Sequence, residues 1–147
     1  MSRTRKQLVA QVGTEIGELV AGARAVTNRA AVAFAADLPG LRPAAFHVAR
    51  FLRSSGPTRP TELAAGLDLD KGALSRLLSD LEAAGLVAKR PHPEDGRAIA
   101  VALTRAGETR LARVLADKGA ELTDRLTRYD ERELTLLAGL LHRLNEP

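Results

Sequence analysis

Between Gly85 and Thr104 the hydrophobic repeat of the chain changes period. Upstream, Leu74, Leu77, Leu78 and Leu81 recur at i, i+3, i+4 and i+7, the stripe of a helix with one buried face. Downstream the period falls to two. Leu86–Arg90 reads as a strand, Pro91 to Gly96 as a turn, and Arg97–Leu103 as the returning strand with Ile99, Val101 and Leu103 on one face. The sequence therefore requires a single β-hairpin set into an otherwise helical chain.

The residues before the hairpin punctuate three helices. Pro43 suits the first turn of a helix that carries Ala45, Val48, Ala49 and Leu52 on one stripe and stops at Ser54-Ser55-Gly56-Pro57. Pro60 opens a short helix with Leu63, Ala64 and Leu67 on its apolar side, and Gly66 is expected as its left-handed C-terminal residue. Asp70 is placed to cap the next helix, which Gly85 ends. Helix, turn, helix and hairpin in this order is the winged helix-turn-helix arrangement, here expected over residues 41–104.

Long helices flank it, at 1–36 and 105–147. In the first, Val9, Val12, Ile16, Leu19, Ala23, Val26 and Ala30 form a narrow 3-4-3-4 seam, with Leu8, Val20 and Phe34 off the seam and available to the rest of the molecule, before Asp37-Leu38-Pro39-Gly40. Thr104 caps a fifth helix with Leu111, Val114, Leu115, Leu122 and Leu126 on one side. Asp130 with Glu133 starts a sixth, in which Leu134, Leu137, Leu141 and Leu144 repeat beside Leu136 and Leu140. Such helices carry more apolar surface than one small winged helix can cover, so the expected fold is mainly α with a small β-hairpin (α+β), assembled as an obligate homodimer through its terminal helices.

Composition closes several classes. A chain of 147 residues buries enough surface to need no disulfide or metal, and with no cysteine it has no thiolate zinc site and no thiol redox sensor. Arg24, Arg29 and Asp37 interrupt the Ala/Val-rich stretch well short of a membrane span, and Glu15 and Glu18 fall where a signal peptide needs an apolar segment. A cytoplasmic chain without a membrane partner is expected. Three histidines far apart, with no Walker, G-x-G-x-x-G or G-x-S-x-G pattern, argue against an enzyme, and no cofactor or metal is expected.

Opposite the leucine stripe of the fourth helix lie Gly72, Arg76 and Ser79, with Lys71 and Ser75 at the near edge. Arginine pairs bidentately with a guanine edge, serine bonds base or phosphate, and glycine admits a close backbone, while the helix N-terminus favours phosphate. The same positions also read as an ordinary solvated face. Around the turn stand Lys89, Arg90, His92 and Arg97, with Asp95 placed to hold the Arg97 guanidinium extended toward a minor groove, or else to form a surface pair of little worth. His92 has no second ligand at metal spacing, so it is a loop residue or a phosphate contact.

Several segments also carry a resemblance: Leu41 to Val48, Thr61-Glu62-Leu63-Ala64, Gly72 to Leu81, Gly85-Leu86-Val87, Asp95-Gly96-Arg97, and Val101 through Thr104 to Gly107. Their joint spacing resembles the MarR family of bacterial transcriptional regulators. The resemblance implies a dimeric regulator, expected to repress, that puts the fourth helix in successive major grooves of double-stranded DNA and wing arginines in the flanking minor grooves. Transferred residue by residue, it makes Ser75, Arg76 and Ser79 base-facing and Arg97 the wing-tip arginine oriented by Asp95. Arg59, Lys71, Gly72, Lys89 and Arg90 complete the expected DNA surface. Gly96 departs from the second basic residue that members often carry between that Asp and Arg. The resemblance further implies a small aromatic or phenolic effector in the crevice between the dimer helices and the winged helix, with Arg24, Asn28, His47 and Arg50 as candidate contacts. The family's thiol-oxidation branch is closed to a chain without cysteine.

A winged helix that only binds protein is the alternative, since fold alone does not decide function. A polar groove face kept together with a basic wing tip weighs against it. Net charge does not enter. The chain carries +4, but residues 57–105 hold seven basic and seven acidic residues, so the argument rests on where the cations stand.

Overall fold

The computed structural model describes residues 3–147, so Met1 and Ser2 of the expected first segment lie outside the described residues. Along the chain run α1 (Arg5–Ala35), α2 (Ala45–Ser55), α3 (Pro60–Gly66), α4 (Lys71–Ala83), β1 (Val87–Pro91), β2 (Ile99–Leu103), α5 (Arg105–Leu126) and α6 (Glu131–Asn145).

Side-chain caps start four of the helices. Thr4 and Gln7 close a capping box on α1, and Asp130 and Glu133 close another on α6. The Asp70 carboxylate accepts from the Ala73 N–H at 2.7 Å to begin α4. Thr104 accepts from the Gly107 N–H at 3.1 Å and donates to the Gly85 carbonyl at 2.6 Å, so one hydroxyl starts α5 and fastens it to the turn before β1. Gly107 is required there: a Cβ would collide with the Leu86 carbonyl, which already accepts from the Thr104 N–H at 3.0 Å.

The core lies where α2, α4 and the hairpin meet the end of α1 and the start of α5. Phe34, Phe46, Val48, Leu63, Leu81, Val101 and Leu111 are its largest fully buried side chains, and Phe34 and Phe46 pack as tilted rings 5.8 Å apart. All four leucines of the α4 stripe are buried. Arg110 of α5 donates to the carbonyls of Phe34 and Ala36, so it closes the end of α1.

Strands β1 and β2 pair antiparallel from Val87↔Leu103 to Pro91↔Ile99. Two details differ from expectation. Ile99 shares a face with the buried Val101 and Leu103 but is 58% exposed, because the hairpin runs past the edge of the core. Ala100 and Ala102, on the other face, are buried too, and Thr58 exchanges backbone hydrogen bonds with Val101 at 3.0 and 2.8 Å, a short third rung that ties β2 to the chain before α3.

Gly66 does not adopt the left-handed conformation expected of it. Asp68 does, at φ 52°, and Gly66 lies within α3, where a Cβ would strike the Phe51 ring. Pro43 sits in the turn ahead of α2. Of Leu8, Val20 and Phe34, Phe34 alone joins the core; Leu8 and Val20 remain exposed.

Outside the core the long helices are open to solvent. No residue of α6 is buried, and Leu19, Leu122, Leu136 and Leu144 are each more than half exposed. The chain presents 10629 Å² of accessible surface. A compact monomer of its mass, 15.7 kDa, presents about 7,300 Å².

Candidate nucleic-acid interface

With the leucine stripe of α4 sunk in the core, Lys71, Gly72, Ser75, Arg76 and Ser79 are all exposed. Gly72 and Arg76 share the outermost line. A Cβ on Gly72 would stand 3.3 Å from the capping carboxylate of Asp70 and 3.7 Å from Nη1 of Arg76, so the missing side chain gives that guanidinium room over the helix N-terminus. Ser75 and Ser79, with Lys71, border the groove between α3 and α4, which has Ala64, Leu74 and Leu78 in its wall. Lys89 of β1 also lines that groove.

The acids at the far end of α4 are engaged within the protein. Asp80 accepts from Nε and Nη2 of Arg42 at 3.0 and 2.7 Å, and Glu82 lies 3.7 Å from Nζ of Lys89. Among the described residues, Lys71, Arg76, Arg90 and Arg97 form no ion pair. The outward surface of α4 and the wing thus keeps unpaired cations while Asp80 and Glu82 at its far end are paired; among the described residues Glu94 of the wing turn forms no ion pair.

Asp95 behaves differently from the expectation that it holds the Arg97 guanidinium. Its Oδ1 accepts from the backbone N–H of Arg97 at 3.1 Å, and its Oδ2 faces Nη2 of Arg59 at 3.5 Å. The carboxylate fixes the backbone of the wing tip and leaves the arginine side chain free, because the two-residue separation favours an Asx turn. His92 sits in the same turn, where its Nδ1 accepts from the Glu94 N–H at 3.2 Å.

The four candidate effector contacts do not converge on one cavity. Arg24 and Asn28 are exposed on α1, whereas His47 and Arg50 both lie against the Phe46 ring on α2, the histidine edge-on and the Arg50 guanidinium 5.7 Å from the ring centroid. A groove of about 280 Å³ runs instead between α1 and α5, lined by Leu19, Ala23, Val26, Leu115, Leu122 and Lys118 among others. Sequence reasoning missed Lys118. Burial, and then the nearby Arg50 guanidinium, hold its ammonium below the usual lysine pKa.

A family model described as "MarR family" matches residues 40–98. YxaD of Bacillus subtilis, described as an HTH-type transcriptional regulator, is 31% identical over 113 residues, 72% of this chain and 74% of that protein. The HTH-type transcriptional repressor YetL of the same organism is 32% identical over 59% of this chain, a match that spans about half of that relative, 52%. Among solved structures, apo MarR from E. coli is 27% identical with a TM-score of 0.62, over 88% of this chain and 96% of its own. The YusO protein of Bacillus subtilis superposes with a TM-score of 0.76 at 22% identity over 97% of both chains, a likeness of fold. No helix among the described residues is long and apolar enough to cross a membrane.

Proposed function

The chain belongs to the MarR family of DNA-binding transcriptional regulators, and on that premise we propose that it represses transcription as a homodimer bound to a pseudo-palindromic operator. The observation that carries this reading is the surface of α4: a partner-free Arg76 beside Gly72, flanked by Ser75 and Ser79, with the nearby acids Asp80 and Glu82 already paired inside the protein. Arg76 has the reach and the five donors to read a guanine edge, and the two serines bond base or phosphate beside it. Arg97, with its backbone pinned and its side chain free, enters the adjoining minor groove, and Lys71, Lys89 and Arg90 supply phosphate contacts.

The dimer is supported by surface. The chain exposes about 3,300 Å² more than a compact monomer of its size, and its exposed leucines concentrate on α1, α5 and α6. Counted over two protomers the excess is about 6,600 Å², enough for an interface of the large obligate class. Two α4 helices related by a two-fold axis then meet major grooves about 34 Å apart. Control by a small aromatic or phenolic acid belongs to the same proposal. The groove between α1 and α5 offers a ring bearing one carboxylate an apolar wall and the part-buried Lys118, beside a Glu121 already paired with Arg29 and Arg125; Leu19 and Leu122 of that wall then face the effector and not the partner protomer.

Selection of duplexes from a random-sequence pool by the full chain tests the reading. Recovered sites are expected to be inverted repeats with half-site centres about one helical turn apart, bound less tightly as salt rises and, if the groove is the effector site, released by millimolar benzoate. Recovery of no sequence preference, or of single half-sites, would refute it.

A further inference from the structure

The geometry points to Arg59 as a positioning residue that sets the wing, not as a ligand of DNA phosphate. Arg59 occupies the N-cap of α3, a place that favours Ser, Thr, Asp or Asn, and makes no capping hydrogen bond there. Its guanidinium leaves the helix and meets the wing turn instead, with Nη2 3.5 Å from Oδ2 of Asp95, while its Nε is buried with no hydrogen-bond partner. The other oxygen of the same carboxylate accepts from the Arg97 N–H. One carboxylate therefore joins the start of α3 to the backbone of the wing-tip arginine.

Thr58, the preceding residue, holds the base of the wing. Its backbone pairs with Val101, and its buried hydroxyl bonds Ser55 at 2.8 Å and the Gly56 carbonyl at 2.8 Å. Two consecutive residues thus grip the hairpin at two heights. Around them lies an open groove of about 610 Å³, bordered by Phe51, Pro57, Glu62, His92 and Pro93, so little packing holds the turn there. The Arg59–Asp95 pair is half exposed and adds little to folding stability. Its effect falls on where the wing turn stands, and through it on Arg97. This rests on the reading of Arg97 as the minor-groove contact.

The test uses R59S, D95N and R97A in the full chain, with a duplex selected by the parent protein. R59S supplies a conventional cap, so α3 keeps or gains stability while the link is lost. D95N keeps an oxygen for the Arg97 N–H and loses the charge that faces Arg59. Both variants are expected to melt no lower than the parent, to exchange the amides of residues 92–98 faster, and to bind the duplex about two- to fivefold more weakly, the range an exposed ion pair supplies. Their salt slope should match the parent's, and R59S should cost nothing further in the R97A background. A phosphate ligand behaves otherwise: R59S would lower the salt slope by about one, and D95N, which removes a negative charge, would tighten binding. Either result, or unchanged exchange over residues 92–98, overturns the inference. If R97A binds as the parent does, the minor-groove reading itself fails and the exchange rates alone decide whether Arg59 sets the wing.

Discussion

The winged helix and the terminal helices divide their apolar residues in opposite ways. From Leu41 to Leu103 nearly every large aliphatic side chain is buried within the single chain, whereas α6 buries none and the outer parts of α1 and α5 leave Val9, Val12, Leu19 and Leu122 in water. The first region is closed by the end of α1 and the start of α5, through Phe34, Leu111 and Val114. The second is amphipathic helix without its other half, and under the proposed function recognition falls to the part whose core is closed and assembly to the part whose apolar face is open.

A charge separates the two regions most sharply. Leu141→Asp on α6 places a carboxylate on a face that is open in the single chain, where it would cost almost nothing. In a dimer it buries an unpaired charge twice, at several kcal/mol each. Light scattering is expected to show loss of the dimer at micromolar concentration, and an unchanged dimer would mean that this face stays in water. Leu81→Ala, inside the closed core, should lower stability by about 2–5 kcal/mol in urea unfolding, for the cavity it leaves. Thr104→Ala sits at the junction, where it uncaps α5 and frees the Gly85 carbonyl; a loss of about 1 kcal/mol is expected.

The smallest effect belongs to Lys118. Its pKa is lowered in the folded chain, so the unfolded chain binds more protons in the window below 10.5, and stability gained by the parent should rise with pH through that window. Below the folded pKa the full cost of the buried ammonium is present. Lys118→Met is therefore expected to melt slightly higher than the parent at neutral pH, with the gap closing as pH rises toward 10.5. A variant that melts lower would show that Lys118 has a stabilising partner.

Local chemistry made much of this fold legible in the sequence. Asp70, Thr104 and Asp130 are caps by residue type and position, and the α4 leucines betray their burial by spacing alone. What stayed hidden depends on neighbours distant in sequence. The backbone rung between Thr58 and Val101 has no side-chain signature, and the burial of Ala100 and Ala102 on the second face of β2 has none either. Ile99 alternates correctly but lies beyond the core. Closeness in sequence pairs Asp95 with Arg97, while the carboxylate oxygen left over by the Asx turn meets Arg59, 36 positions away. Gly66 reads as the left-handed C-terminal residue of its helix, but its small size serves the Phe51 ring instead. On the candidate interface, exposure of the α4 face followed from periodicity, but the pairing of Arg42 with Asp80, which removes an acid from that face, required tertiary structure.

Fluorescence anisotropy of Arg76→Ala against the parent, on a duplex selected by the parent and at two salt concentrations, probes the α4 reading surface directly. The substitution should weaken binding by about 1–3 kcal/mol and relax preference at one base position in each half-site, with log affinity of both proteins falling linearly in log salt. Parent-like affinity and sequence preference in Arg76→Ala would contradict the assignment of α4 as the surface that reads DNA.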